Sequence, residues 1–437
     1  MYLLRMRRAR WLRRARYLYS RLPWKQPRES VHEQNIWNLY LDVAWWGIAN
    51  GVWITYLSVF AVRLGASTEW LGVLAALPAL VNMVWSIPSA RIVEAAPRRL
   101  PLVLRVGFLQ RLAWLGVALV PFLFAGQAGV YAVVFIAGLT TIPAATAAVA
   151  FTSIMADLIP PEDRARVVSI RNVLLSATTT LTVLACGPIL DALPFPASYQ
   201  VVFGLSFVAA LMSLRHVSRL RVTEEITVVH RERAKSWLTV SVRNAIREVA
   251  AAKPFVRYVI SSLIFHWGIY FPTALFSLYR VRYLGATDTW IGLLTMVDSV
   301  VTIAFYMVWG RLATRWGNRR VLIIGAFGMI AFPVLTGLST SLPMLLIPAV
   351  IAGIVTPAFN LAAFNELLAV SPNVHRPRFI ATYTSAVNAA AFVAPLAGSY
   401  LAAGTAIRLA LYLGGAFRFL GAMAFTLMLG FGAEKRK

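Results

Sequence analysis

Among the ionisable side chains inside the long apolar stretches of this 437-residue chain are Asp42, His266, Asp298, Arg111 and Arg418, the two arginines being read as structural groups. Asp298 lies near the middle of its stretch, with Thr295, Thr302 and Tyr306 on the same helical face. A charged side chain at bilayer depth costs about 2.5 to 3.5 kcal/mol on insertion scales, so its presence points to a use. Three uses fit Asp298: carrying a proton, binding a cation, or pairing with a basic residue to stabilise one conformation. Asp42 sits nearer the end of its stretch and is a second coupling candidate. A histidine such as His266 changes charge near neutral pH, and also serves in helices as a hydrogen-bonded packing residue.

Aromatic and amide side chains accompany these groups at helical spacing. Asp42, Trp45, Trp46, Ala49, Asn50 and Trp53 follow i, i+3, i+4, i+7, i+8, i+11, which is one face of a helix. His266, Trp267, Tyr270 and Phe271 form a comparable stripe in the second half. A face holding Asp42, Asn50 and His266 does not belong in hydrocarbon, so it is predicted to look inward. Helix packing with the tryptophans at an interfacial belt is the alternative, and it suits Trp53 best. Thr356 and Asn360 add polar groups in a later stretch, as do Thr140, Thr141 and Thr146 in an earlier one.

Composition says what must position these residues. The chain is 59% hydrophobic and only 14% charged, against about 25% charged in soluble domains. A bilayer-crossing helix needs roughly 20 apolar residues. Runs of that kind are predicted at 36–62, 70–90, 101–124, 130–152, 167–190, 199–216, 256–279, 290–309, 321–338, 344–364, 379–402 and 409–431. They must be helical, because lipid offers the backbone no hydrogen-bond partner. Arginines and lysines concentrate before the first run, at 215–257, in the tail and in alternate loops. The loops on the other side carry only Arg63, Arg280, Arg282 and Arg408. That asymmetry predicts both termini in the cytoplasm of a plasma-membrane protein. The net charge of +25 is therefore a topology signal and not a nucleic-acid footprint.

The chain is also written twice. Leu64-Gly65-Ala66-Ser67-Thr68-Glu69-Trp70-Leu71-Gly72 answers Leu284-Gly285-Ala286-Thr287-Asp288-Thr289-Trp290-Ile291-Gly292. Trp45-Trp46-Gly47-Ile48 answers His266-Trp267-Gly268-Ile269, Arg91 to Arg99 answers Arg311 to Arg319, and Pro160 to Arg166 answers Pro372 to Arg378. Four matches in order indicate two six-helix units in parallel orientation, an architecture of secondary transporters. The repeated nonapeptide is read as a seam mark of that duplication and not as a binding motif. The predicted division is a basic amphipathic segment at 1–35, one bundle at 36–216, a linker at 217–255, a second bundle at 256–431 and a tail at 432–437.

The segment Gly310-Arg311-Leu312-Ala313-Thr314-Arg315-Trp316-Gly317-Asn318-Arg319-Arg320 resembles the loop signature of the major facilitator superfamily, with Thr314 where that family has aspartate. In the first half the loop holds Glu94, Arg98 and Arg99 but neither glycine. The resemblance covers the chain from about residue 36. It implies an all-α integral membrane fold, twelve transmembrane helices as two parallel-repeat six-helix bundles. It implies a central cavity lined from both halves, which assigns Trp45, Trp46, Asn50, His266, Trp267, Tyr270, Thr356 and Asn360 to solute binding. It also implies a gating latch made by Glu94, Arg98, Arg99, Gly310, Arg315, Gly317, Arg319 and Arg320, and it puts Arg111 and Arg418 on peripheral helices. Cys186-Gly187-Pro188 and Ala394-Pro395-Leu396-Ala397-Gly398 resemble the kink of the family's exporters, although Asp191 falls where a small residue is expected.

The expected function is a secondary active transporter of a small organic solute, proton-coupled and leaning to export. An uptake carrier of the same fold, a polytopic membrane enzyme and a non-transporting receptor are the alternatives. Enzyme chemistry is disfavoured because the five histidines are scattered and neither H-E-x-x-H nor a phosphate-cradling loop occurs. No catalytic residue, metal or cofactor is expected, and the single cysteine excludes an internal disulfide. The expected partners are the solute and anionic lipid at the basic amino end, with no nucleic acid and with the chain as a monomer.

Overall fold

The computed structural model describes residues 30–222, 248–372, 376–404 and 406–429. The basic segment 1–29, most of the linker and the tail 430–437 fall outside the described residues. Within them, twelve helices are long and apolar enough to cross a membrane. The first half comprises α1 (Val31–Arg63), α2 (Thr68–Ala95), α3 (Arg99–Leu123), α4 (Gln127–Leu158), α5 (Pro161–Ala192) and α6 (Ala197–Val217). The second comprises α7 (Lys253–Tyr270, continued by Thr273–Leu278 and Tyr279–Tyr283), α8 (Asp288–Trp316), α9 (Asn318–Gly328, continued by Ala331–Leu338), α10 (Leu346–Val370), α11 (Arg376–Gly404) and α12 (Ile407–Leu429).

Local chemistry sets the breaks. Ser30 caps α1, its hydroxyl accepting from the Glu33 amide at 3.2 Å, which satisfies one of the orphan donors of a first turn. The turns after α1 and α7 place Gly65 and Gly285 at φ of 92° and 65°, a region costly for any residue with a Cβ. The repeated glycine is thus the residue that both turns require. Pro272 interrupts α7, since it lacks the N–H needed to continue the ladder. Beyond that break the chain widens into a π-helical turn at Tyr279–Tyr283, which carries Arg280 and Arg282.

Within the first half α1 packs on α5 and α6, α2 on α4, and α3 on α4 and α6. Equivalent pairs recur in the second half, with α7 on α11 and α12, α8 on α10, and α9 on α10 and α12. The halves meet along α2 with α11 and along α5 with α8. Close approach there depends on missing side chains. A Cβ on Gly187 would come 2.8 Å from Thr289 Cα, and one on Gly72 would come 2.6 Å from Ser399 Cβ. Gly187 of the exporter-like tripeptide is therefore a helix-contact residue in this fold.

Candidate functional site

The second half holds a half-open pocket of about 320 Å³. α7 and its continuation bring Thr273, Phe276 and Arg280 to it, α8 brings Thr295 and Asp298, α10 brings Thr356, and α12 brings Arg418. Asp298 and Thr356, separated in sequence and expected to act in transport, thus line one space. Arg280 and Asp298 lie close enough to interact by charge, yet no hydrogen bond or ion pair joins them. Arg418 is 3% exposed. Its Nε donates to Gly268 O at 3.1 Å and its Nη1 to Met329 O at 2.7 Å, so it is enclosed by protein and does not reach out to the membrane surface as a peripheral arginine would.

The remaining predicted residues of this half gather nearby without joining the cavity wall. His266 Nδ1 is 2.8 Å from Ser262 O. Its ring stands 5.9 Å from both Tyr270 and Phe359 and 6.4 Å from Tyr383. Trp267 and Tyr270 are half-buried, packed against the hydrophobic core that α1 and α7 share. Asn360 is exposed.

In the first half the predicted stripe on α1 divides. Asp42 is buried, accepts from Ser213 Oγ at 2.7 Å and pairs with Arg171 Nη2 at 3.3 Å. Arg111 completes this network. It donates to Ala210 O at 2.7 Å, to Gly107 O at 2.9 Å and to Ser213 Oγ at 2.9 Å, and lies over the Trp46 ring at 5.1 Å. Trp46 and Trp53 both pack on Trp114 of α3, at centroid distances of 5.6 Å and 4.8 Å. Asp42, Trp46 and Trp53 therefore point into their own bundle, where Asp42, Arg111 and Arg171 each find hydrogen-bond partners. Trp45 is 37% exposed and Asn50 is half-buried.

The family-type loops hold their own halves together. Arg99 Nη1 lies 2.9 Å from Asp157 Oδ2, joining α3 to α4. Arg319 Nε lies 2.8 Å from Glu366 Oε1, joining α9 to α10 in the same way. Gly317 adopts φ of 87° between α8 and α9, whereas Gly310 has open space beside it. Glu94, Arg98, Arg315 and Arg320 have exposed side chains.

The link between halves is elsewhere, on the face opposite these loops. Asp288, 2% exposed, pairs with Arg63 Nη2 at 3.0 Å and accepts from Tyr199 Oη at 2.6 Å. Asp191 Oδ1 and Oδ2 accept from the Asp288 and Thr289 amides at 2.8 and 2.9 Å, capping α8 from across the seam. Ser58 and Ser277 hydroxyls meet at 2.9 Å. Arg63 also donates to Ala286 O at 3.4 Å, and Arg282 donates to Ala66 O. Ala66 and Ala286 are matching positions of the repeated nonapeptide. The second copy of the nonapeptide also supplies an inter-half ion pair through Asp288.

Residues of this clamp escaped the sequence reading because Asp288 looks like an ordinary acid in a first helical turn. A signal did exist. Arginines are disfavoured in those loops, and the four that occur there have partners or a cavity to face: Arg63 on Asp288, Arg280 at the cavity, Arg282 on Ala66 O, and Arg408 on Tyr279 Oη at 3.1 Å.

Residues 258–437 match the family model described as Major Facilitator Superfamily. No curated protein sequence matches the chain. A point mutant of the nucleoside transporter NupG superposes with a TM-score of 0.70 at 10% identity, covering 91% of this chain and 100% of that one. A bacterial homologue of the human lysosomal transporter Spinster, in an inward-facing and unoccupied conformation, gives 0.67 at 14% identity with 92% and 97% covered. A D-xylose–proton symporter gives 0.67 at 16% identity with 93% and 99% covered. At such identities these likenesses concern the fold.

Proposed function

We propose that this chain, a major facilitator superfamily protein by its fold and by the match of its second half, is a secondary active transporter that moves a small organic solute by rocking its two halves. One observation carries the reading: Arg63, Asp288, Tyr199 and Asp191 clamp the halves together at one membrane face. A clamp of breakable polar contacts at one end, with glycines allowing close approach, is what alternating access requires of a gate. The excess of basic residues in the opposite loops supports a cytoplasmic placement of those loops, and on that reading the clamp is the outer gate.

The solute path runs between the halves, with Trp45, Asn50, His266, Trp267, Tyr270, Thr356 and Asn360 as its candidate contacts. Asp298 is the candidate proton carrier, because it is ionisable at membrane depth and no ion pair neutralises it. The direction leans to export on the Gly187-Pro188 resemblance. Flux in proteoliposomes under an imposed proton gradient tests the whole reading. Gradient-dependent movement of a solute from a panel of neutral and amphipathic compounds is expected, and absence of flux for every solute and gradient would sink it.

A further inference from the structure

We propose that the cavity inside the second half is a binding site for a small organic monoanion, a carboxylate on a compact apolar body, held by Arg280 and Arg418. The claim concerns binding, and does not rest on the chain moving anything.

Charge is the first argument. Two guanidinium groups and one carboxylate, Asp298, face this space, and its other lining residues are neutral. The balance is one positive charge in a low-dielectric interior, where an uncompensated charge is costly. Backbone carbonyls of Gly268 and Met329 solvate Arg418 but do not neutralise it. Asp298 leaves at most one of the two arginines compensated. A monovalent anion closes the account.

Hydrogen bonding is the second. Arg280 Nε is buried with no hydrogen-bond partner, an arrangement rare enough in folded proteins to call for an explanation. A guanidinium fork suits a planar carboxylate, which accepts from two N–H groups at once. Thr295 and Thr356 add hydroxyls at the same space.

Size and lining are the third. About 320 Å³ is far more than a bare halide fills, and it falls at the small end of organic-ligand sites. The wall between the polar groups is apolar, with Phe276, Phe332, Leu294 and Val355. A carboxylate carrying a ring or short branched chain satisfies both parts of that lining.

Isothermal titration of the full-length protein in nanodiscs with sodium benzoate tests this, beside benzamide as the neutral isostere and sodium chloride as the inorganic anion. Benzoate is expected to bind saturably, one per chain, and at least about tenfold more tightly than benzamide, the ratio that 1.4 kcal/mol of charge recognition gives. Arg280→Gln should weaken benzoate by a similar factor. Asp298→Asn should tighten it several-fold, because the internal competitor for the guanidinium groups is gone.

Equal binding of benzoate and benzamide overturns the proposal. So does chloride binding that benzoate fails to compete with, since that site takes an inorganic ion only. Weakening by Asp298→Asn also overturns it, because an intact ion pair rather than a vacant positive site would then matter. That last sign decides the matter even if Arg280→Gln fails to fold. A negative flux experiment leaves every one of these results standing, and a negative titration leaves flux untouched.

Discussion

Arg63 of the first half and Asp288 of the second meet at 3.0 Å across the seam, and Arg282 returns the gesture by donating to Ala66 O. The two arginines are not equivalent positions, yet the alanine carbonyls they reach are. The two turns are similar in sequence, and an arginine of each half donates to the other's turn. The clamp is thus asymmetric in side chains and symmetric in backbone.

Breaking it should open that face. Removing one partner of a buried pair costs about 3 to 5 kcal/mol, and Asp288→Asn should cost somewhat less because the amide still accepts from Tyr199. Even about 2 kcal/mol moves a two-state equilibrium roughly 30-fold. A cysteine placed at Ser277, 2.9 Å from Ser58, in a Cys186→Ala background reports it by alkylation rate. A marked acceleration in the Asp288→Asn protein is expected. An unchanged rate would mean the pair does not hold the gate.

The two signature glycines should behave differently. Gly317 sits at φ of 87° and ψ of 153°, a region that only glycine adopts routinely, so Gly317→Ala should destabilise by about 1 to 3 kcal/mol through backbone strain. Gly310 is helical, with open space where a Cβ would go, so Gly310→Ala should be neutral or slightly stabilising on helix propensity. Thermal unfolding of both variants in detergent separates them. Equal losses would show that the motif's glycines serve something other than backbone geometry.

Much of this fold is legible in the sequence for a simple reason. Lipid forces each crossing to be a long apolar helix, so Val31–Arg63 or Leu346–Val370 announces itself without reference to any neighbour. The left-handed glycines Gly65 and Gly285 are legible too, because a local backbone need dictates them. The wiring between helices is not. Trp46 and Asp42 share a stripe with Asn50, but which neighbour that stripe faces depends on Trp114, Arg111 and Arg171, set by packing rather than spacing. Asp298 is conspicuous in the sequence as a lone acid at membrane depth. Asp288 was missed because an acid near a helix start is commonplace.

The network on Asp42 makes a stability prediction. Arg111→Leu removes donors from Ala210 O, Gly107 O and Ser213 Oγ and strips compensation from the buried Asp42. A loss of about 3 to 5 kcal/mol is expected, with a correspondingly lower unfolding temperature. Adding Asp42→Asn should deepen it, since the carboxylate left behind still pairs with Arg171 and removing it strands that guanidinium. A double variant as unstable as the sum of the singles would argue that Arg111 acts through packing on Trp46 alone.

Asp298 and Asp42 can be told apart by coupling. Asp42 already has Arg171 as an ion-pair partner and Ser213 as a donor, so taking up a proton would forfeit both contacts. Asp298 has neither an ion pair nor a hydrogen bond to lose, and the charge of Arg280 is near it without contact. A proton can therefore come and go on Asp298 without dismantling the bundle. Asp298→Asn should abolish acceleration of flux by a pH gradient while solute exchange at equal pH on both sides persists, because exchange returns the loaded carrier and needs no net proton release. Asp42→Asn should lower stability and leave the gradient response of the surviving protein intact. Flux measured in proteoliposomes with and without a pH step distinguishes the two, and a gradient response retained in Asp298→Asn would remove Asp298 from the coupling path.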